Sequence, residues 1–88
     1  MAWKVEFTDI AEREISRLDS GVRKRILAFF RTGVVNSKEP FAIAEPLAGE
    51  FRGLWRFRIG DYRAICDIQR GRLLVLVLNV GHRREIYK

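Results

Sequence analysis

The chain has 88 residues, 48% hydrophobic and 32% charged, so it is long enough for one small domain over 1–88 and too apolar to be disordered. Its longest apolar run, Leu73–Leu78, is strand-sized and excludes a membrane-spanning helix, which needs roughly 18 or more such residues. The net charge of +6 is unevenly placed: residues 1–51 carry eight basic and eight acidic side chains, whereas residues 52–88 carry nine basic and three acidic ones. A neutral half followed by a cationic half suggests a scaffold followed by a surface built for an anion.

The opening Met-Ala-Trp-Lys-Val-Glu has no apolar stretch after a basic start, so it does not read as a signal peptide. Trp3-Lys-Val-Glu-Phe7 alternates apolar and polar residues and predicts a strand. Thr8 is a good helix N-cap, Asp9 and Glu12 suit the positive end of a helix, and Ala11, Ile15 and Leu18 recur at helical spacing. Together they predict a helix over roughly 9–18. Asp19-Ser20-Gly21 breaks it, and Ser20 can cap a second helix over roughly 21–34. Val22, Ile26, Phe29, Phe30 and Gly33 mark its inner face; Arg23, Lys24, Arg25 and Arg31 take its outer, solvated side. Residues 35–50 read as a loop, with Phe41, Ile43 and Leu47 tacking it to the core. Three strands follow, Leu54–Ile59, Tyr62–Gln69 and Arg72–Val80. They are joined by Gly60-Asp61 and Arg70-Gly71, two-residue connections that make tight hairpins. The fold class is α+β: an N-terminal strand and a two-helix hairpin packed on one face of an antiparallel sheet.

The hairpin register sorts the side chains. A turn at Gly60-Asp61 sets Ile59 against Tyr62, Arg58 against Arg63 and Arg56 against Ile65. Alternation then places Trp55, Phe57, Ile59, Tyr62, Ala64, Cys66 and Ile68 on one apolar face, joined by Leu73, Val75 and Val77. Cys66 reads as inert packing there; a lone cysteine cannot form an internal disulfide, which agrees with a reducing, cytoplasmic setting. Arg56, Arg58 and Arg63 fall together on the opposite face. Opposed like charges destabilise a sheet pair, so the arrangement makes sense if a polyanion such as a phosphate backbone lies across it. The same face is expected to carry Leu74, Leu76, Leu78 and Val80, too much apolar surface to leave wet, so the tail or a partner should cover it.

The tail adds His82, Arg83, Arg84 and Tyr87, and Gly81 permits a bend that brings them beside the arginines. One Cys and one His cannot build a structural zinc site. Arginines stabilise charge on a pentacoordinate phosphate, histidine transfers a proton near neutral pH, and tyrosine stacks on a base or orients a hydroxyl. That set has what metal-free RNA cleavage needs.

Pro46-Leu-Ala-Gly49, Leu54-Trp-Arg-Phe-Arg-Ile-Gly-Asp-Tyr-Arg63 and Asn79-Val-Gly-His-Arg-Arg-Glu-Ile-Tyr87 together resemble the RelE/ParE toxin superfamily, with its RelE branch the nearer match. The resemblance implies a type II toxin that cleaves mRNA in the A site of the 70S ribosome. The 2′-hydroxyl attacks the adjacent phosphate without metal or cofactor, leaving a 2′,3′-cyclic phosphate and a 5′-hydroxyl. It also implies a cognate antitoxin that covers the basic site, and operator DNA bound only through that antitoxin; no membrane is involved. Carried over by motif, Arg56 and Arg58 are RNA-binding positions, with Arg84 beside them. Arg63 stabilises the transition-state phosphate, Arg83 assists the leaving group and Tyr87 positions the substrate. The best-described RelE pattern has lysines at the first two positions. Arginine essentially cannot lose its proton, so either His82 takes the general-base role, with Glu50 or Glu85 behind it, or the arginines only hold the phosphate and the rate is low. The tail ends one residue after Tyr87, so the further C-terminal helix that can regulate the site in that pattern is not expected here.

Two other readings share the fold or the charge. A ParE-like toxin would inhibit DNA gyrase without nuclease activity, and a nucleic-acid-binding module would need only the basic surface. Arg63, Arg83 and Tyr87 in combination favour the nuclease.

Overall fold

A computed structural model describes residues 2–86 of the chain. Tyr87, assigned above to substrate positioning, lies outside the described residues. Strand β1 (Lys4–Phe7) leads into α1 (Asp9–Ser16) and α2 (Ser20–Ala28). The two-residue β2 (Glu45–Pro46) follows a loop, and β3 (Trp55–Ile59), β4 (Tyr62–Gln69) and β5 (Leu74–His82) form the meander. The sheet order is β1-β5-β4-β3-β2. β1 pairs parallel with β5 and all other neighbours pair antiparallel, so the sheet is mixed rather than purely antiparallel.

Local chemistry sets the helix starts. Thr8 caps α1 by accepting the Ala11 N–H at 3.1 Å, and its hydroxyl also donates to the Leu78 carbonyl at 2.9 Å. One side chain therefore starts the helix and ties it to β5. Asp19, rather than Ser20, caps α2 by accepting the Gly21 N–H at 3.2 Å. The second helix is α-helical only to Ala28 and continues as a π-type turn over Phe29–Val34. Adjacent Phe29 and Phe30 both reach inward there, each meeting Phe57 edge-on at 5.6 Å between ring centroids.

The core lies between the helices and one sheet face. Ala11, Ile15, Ile26, Phe30 and Val34 come from the helical side; Phe57, Ile59, Ala64, Cys66, Ile68, Val75 and Val77 come from the sheet. Fully burying a side chain of the Phe or Ile class contributes about 1.5–3 kcal/mol. Residues 35–50 are less irregular than their composition suggests, holding short 3₁₀ turns at Pro40–Ile43 and Gly49–Phe51 besides β2. Phe41 tacks this segment down between Trp3 (6.1 Å) and Trp55 (4.9 Å), with the Arg70 guanidinium 4.7 Å from its ring centre. Ile43, expected to help, is 50% exposed.

β5 departs from the expected register in two places. The β4–β5 connection is a 3₁₀ turn, Arg70–Arg72, followed by Leu73 in the left-handed region at φ 50, so it is longer than a two-residue hairpin. Further along, Cys66 pairs with Val77 but Ile65 with Asn79, leaving Leu78 as a bulge. The extra residue inverts the alternation beyond it. Val80, expected on the arginine face, pairs with Ala64 and is 2% exposed in the core. Leu74 is also buried, although it pairs with Gln69 and Lys4 on the face away from the helices.

Candidate active site on the open sheet face

β3 and β4 position the arginines. Trp55, Phe57 and Ile59 face the core, so the alternating Arg56 and Arg58 point to the open face. Arg58 pairs directly with Arg63, and Arg56 with Ile65. The three guanidinium groups are handled differently. Arg56 Nε donates to Glu45 Oε1 at 3.3 Å, and Arg58 Nε lies 4.0 Å from the same oxygen. Arg63 Nη1 donates to the Gly60 and Tyr62 carbonyls at 2.8 and 2.9 Å, folding its guanidinium back over the turn. One carboxylate on the edge strand thus serves two arginines, and the face keeps an excess of positive charge. Arg58, with its side chain 64% exposed against 29% for Arg56, is the more available to a ligand.

The tail joins this face through a notch. Gly81 pairs with Arg63, so a side chain at 81 would stand beside the guanidinium stem. The space is used by Ile86, whose Cδ1 lies 3.4 Å from where a Cβ on Gly81 would be. The chain turns back after His82 and carries Ile86 over to Gly81, Arg63's neighbour; Gly81 itself stays in the strand and supplies space rather than the expected bend. The Arg83 N–H donates to the Asp61 carbonyl at 2.8 Å, and Arg83 Nη1 lies 4.0 Å from Asp61 Oδ1. Arg83 and Arg84 are both exposed.

His82 faces the other way. It pairs with Tyr62, whose ring packs against the core, and the two rings meet edge-on at 5.5 Å. Its Nδ1 accepts the Arg84 N–H at 3.2 Å. Arg56, Arg58, Arg63 and the backbone of Arg83 thus converge at one end of the sheet, while the imidazole sits on the helix side of that end. Glu50 is exposed in its own 3₁₀ turn, and the Glu85 N–H donates to the His82 carbonyl at 2.8 Å.

Two residues matter more here than their sequence positions suggest. Arg25 of α2, read as solvated, lays its guanidinium on Gly60: a Cβ there would come within 2.8 Å of Arg25 Nη1. Gly60 also has φ +60, so the turn needs glycine for both conformation and space. Glu14 of α1 accepts the Val80 N–H at 2.9 Å and the Asn79 side-chain amide at 3.5 Å. It caps the edge of β5 beyond the end of β1. Neither role has a sequence signal beyond the glycine. Cys66 is buried in the core, where desolvation, with a smaller push from Asp67, raises its thiol far above the usual range. A cleft of about 320 Å³ lies away from the arginine face, lined by Phe7, Glu12, Ile15, Ser16, Arg23, Leu27 and Arg31. Among the described residues no cluster of His, Cys, Asp and Glu could hold a metal ion, and no helix is long and apolar enough to cross a membrane.

A family profile described as the ParE toxin of the type II toxin-antitoxin system parDE matches residues 5–87. The chain belongs to this toxin family. Toxin RelG of Mycobacterium tuberculosis is 31% identical over 88 residues, covering all of this chain and 99% of the relative. Toxin RelE of the same organism is 27% identical over 86 residues, covering 98% of this chain and 87% of the relative. Among solved structures, the toxin–antitoxin complex RelBE2 of M. tuberculosis contains a chain that superposes with TM-score 0.86 at 28% identity, covering 94% of this chain and all of that one. The two-helix layer on a five-stranded mixed sheet is thus the fold of a RelE-type toxin. In this toxin the cationic half of the sequence is β3, β4, β5 and the tail, and the neutral half supplies β1, both helices and β2.

Proposed function

We propose that this toxin is a ribosome-dependent endoribonuclease that cuts mRNA by attack of a 2′-hydroxyl on the adjacent phosphate. The observation that carries the reading is the convergence of Arg56, Arg58 and Arg63 on the open face with the tail folded beside Arg63 through the Gly81 notch. Arg56, Arg58 and Arg84 hold the RNA backbone. Arg63 stabilises the charge that develops on the pentacoordinate phosphate. Arg83 assists the departing 5′-oxygen, and Tyr87, directly after Ile86, positions the substrate. Arginine carries no acceptor and stays protonated, so none of these arginines removes the 2′-hydroxyl proton. Alignment of the RNA therefore supplies much of the rate, and the ribosome is what aligns it. The antitoxin partner follows from likeness to the toxin of the RelBE2 toxin–antitoxin complex. A cognate antitoxin with acidic side chains would neutralise the arginine face.

Primer extension on translated mRNA tests the reading. Cuts between codon positions in the presence of the toxin, lost in Arg63→Ala, support it. The matching family profile carries the ParE description, so the second reading is gyrase inhibition. Intact messages together with arrested or cleaved DNA would replace the first reading by the second.

A further inference from the structure

We infer that His82 acts on the tail as a backbone cap: its Nδ1 fixes the turn that aims Arg83 and carries the chain back to Arg63, so it is a positioning residue and not the proton acceptor. The inference rests on the nuclease reading for its effect on rate, and on geometry alone for the cap.

A backbone N–H can only donate, so the 3.2 Å contact from the Arg84 N–H requires a lone pair on Nδ1. The pattern, a side-chain acceptor bound to the amide two residues on, is the one Asn and Asp use in turns. Around it the tail is closed by three backbone bonds. The Glu85 and Ile86 N–H groups both donate to the His82 carbonyl, at 2.8 and 3.1 Å, and the Arg83 N–H donates to the Asp61 carbonyl at 2.8 Å. His82 thus terminates three of the four amides from 83 to 86, one by side chain and two by carbonyl. The ring itself is held by Tyr62 at 5.5 Å on the helix side. The alternation of β5 puts it on the face away from Arg63, since the intervening Gly81 is Arg63's partner. A group that removed the 2′-hydroxyl proton would have to stand on the arginine face. A group that closes the turn needs only its Nδ1.

The two roles are separated by comparing His82→Asn, His82→Gln and His82→Ala in the full-length toxin. Asn places its amide oxygen where Nδ1 stands; Gln reaches toward the position of Nε2 and cannot cap in the same way. Two readouts are taken: amide hydrogen exchange at Arg84 and Ile86, and the cleavage rate on ribosome-bound mRNA. The expected result is faster exchange and at least a tenfold loss of cleavage in H82A and H82Q, with both restored to within about threefold of wild type in H82N. Cleavage in H82N as low as in H82A, with its amides still protected, would assign His82 to the chemistry and overturn the inference. Unchanged exchange in H82A would overturn it as well. If the wild-type toxin cleaves no mRNA, the nuclease reading fails, while the exchange data still decide the cap.

Discussion

The two ends of the β-meander carry the same residue type and use it in opposite ways. At the β4–β5 end, Arg70 donates to both carboxylate oxygens of Glu39, at 3.1 and 3.0 Å, and lies over Phe41. Its charge is spent inside the fold, clamping the 35–50 segment to the sheet. At the β3–β4 end, Arg63 is bound to carbonyls, Arg58 shares a distant carboxylate, and Arg25 rests on a glycine. Arg56 pairs with Glu45 there, but one carboxylate against these arginines neutralises only part of the charge. Net charge alone does not separate the two ends. The kind of partner does: Arg70 meets both oxygens of a carboxylate, whereas Arg63 meets neutral carbonyls and Arg58 is 4.0 Å from an oxygen already bound by Arg56.

The contrast can be broken or sharpened by substitution. The largest effect is expected from Arg63→Ala, which should lower mRNA cleavage by about 10²–10³-fold, as loss of a transition-state donor does, and abolish growth inhibition. Its thermal midpoint should stay within a few degrees of wild type, measured by circular dichroism. Full toxicity in this variant would remove Arg63 from the site. Phe41→Ala attacks the other end and should cost about 2–4 kcal/mol of stability, read as a lower midpoint in urea. Cleavage per folded molecule should survive, and a fall comparable to that of Arg63→Ala would show that the two ends are not separable.

Glu14→Ala leaves the Val80 amide without its acceptor and should cost about 1–3 kcal/mol, with faster amide exchange at Val80 as the specific sign. The smallest effects come from making one change at both ends. Arg58→Gln should reduce the salt dependence of single-stranded RNA binding by about 0.7 in log–log slope, the share of one phosphate contact. Arg70→Gln should leave that slope unchanged and cost no more than about 1 kcal/mol of stability. Equal slopes in the two variants would erase the distinction.

How much of this was legible in the sequence depended on how far each feature is fixed locally. The Gly60-Asp61 turn sets its own register, so the facing pair Arg58 and Arg63 and the apolar row Trp55, Phe57 and Ile59 could be read directly. Thr8 as a cap could be read as well, because its partner is three residues away. The bulge at Leu78 could not: nothing in the run Leu73–Leu78 distinguishes a surplus residue, so simple alternation puts Val80 on the wrong face. The second connection is longer than its sequence suggests: Arg70-Gly71 resembles a tight turn, but Leu73 adopts the left-handed conformation beyond it. Arg25 and Glu14 were missed because each sits on a charged helix position and acts on backbone across the fold. Tertiary contacts of that kind leave no local pattern.

The bulge also bears on how the toxin can lose its site without unfolding. A strand with one surplus residue has a competing pairing in which everything past it slides by one. The slid strand would set Val80 beside Arg63, fill the notch that Ile86 occupies, and turn Asn79 toward the core. Hydrophobic burial of Val80 opposes that slide. So do the hydroxyl of Thr8 on the Leu78 carbonyl and the carboxylate of Glu14 on the Val80 amide. Helix α1, on the far side of the sheet from the arginines, therefore works as a ratchet pawl: it stops the last strand from advancing by one tooth.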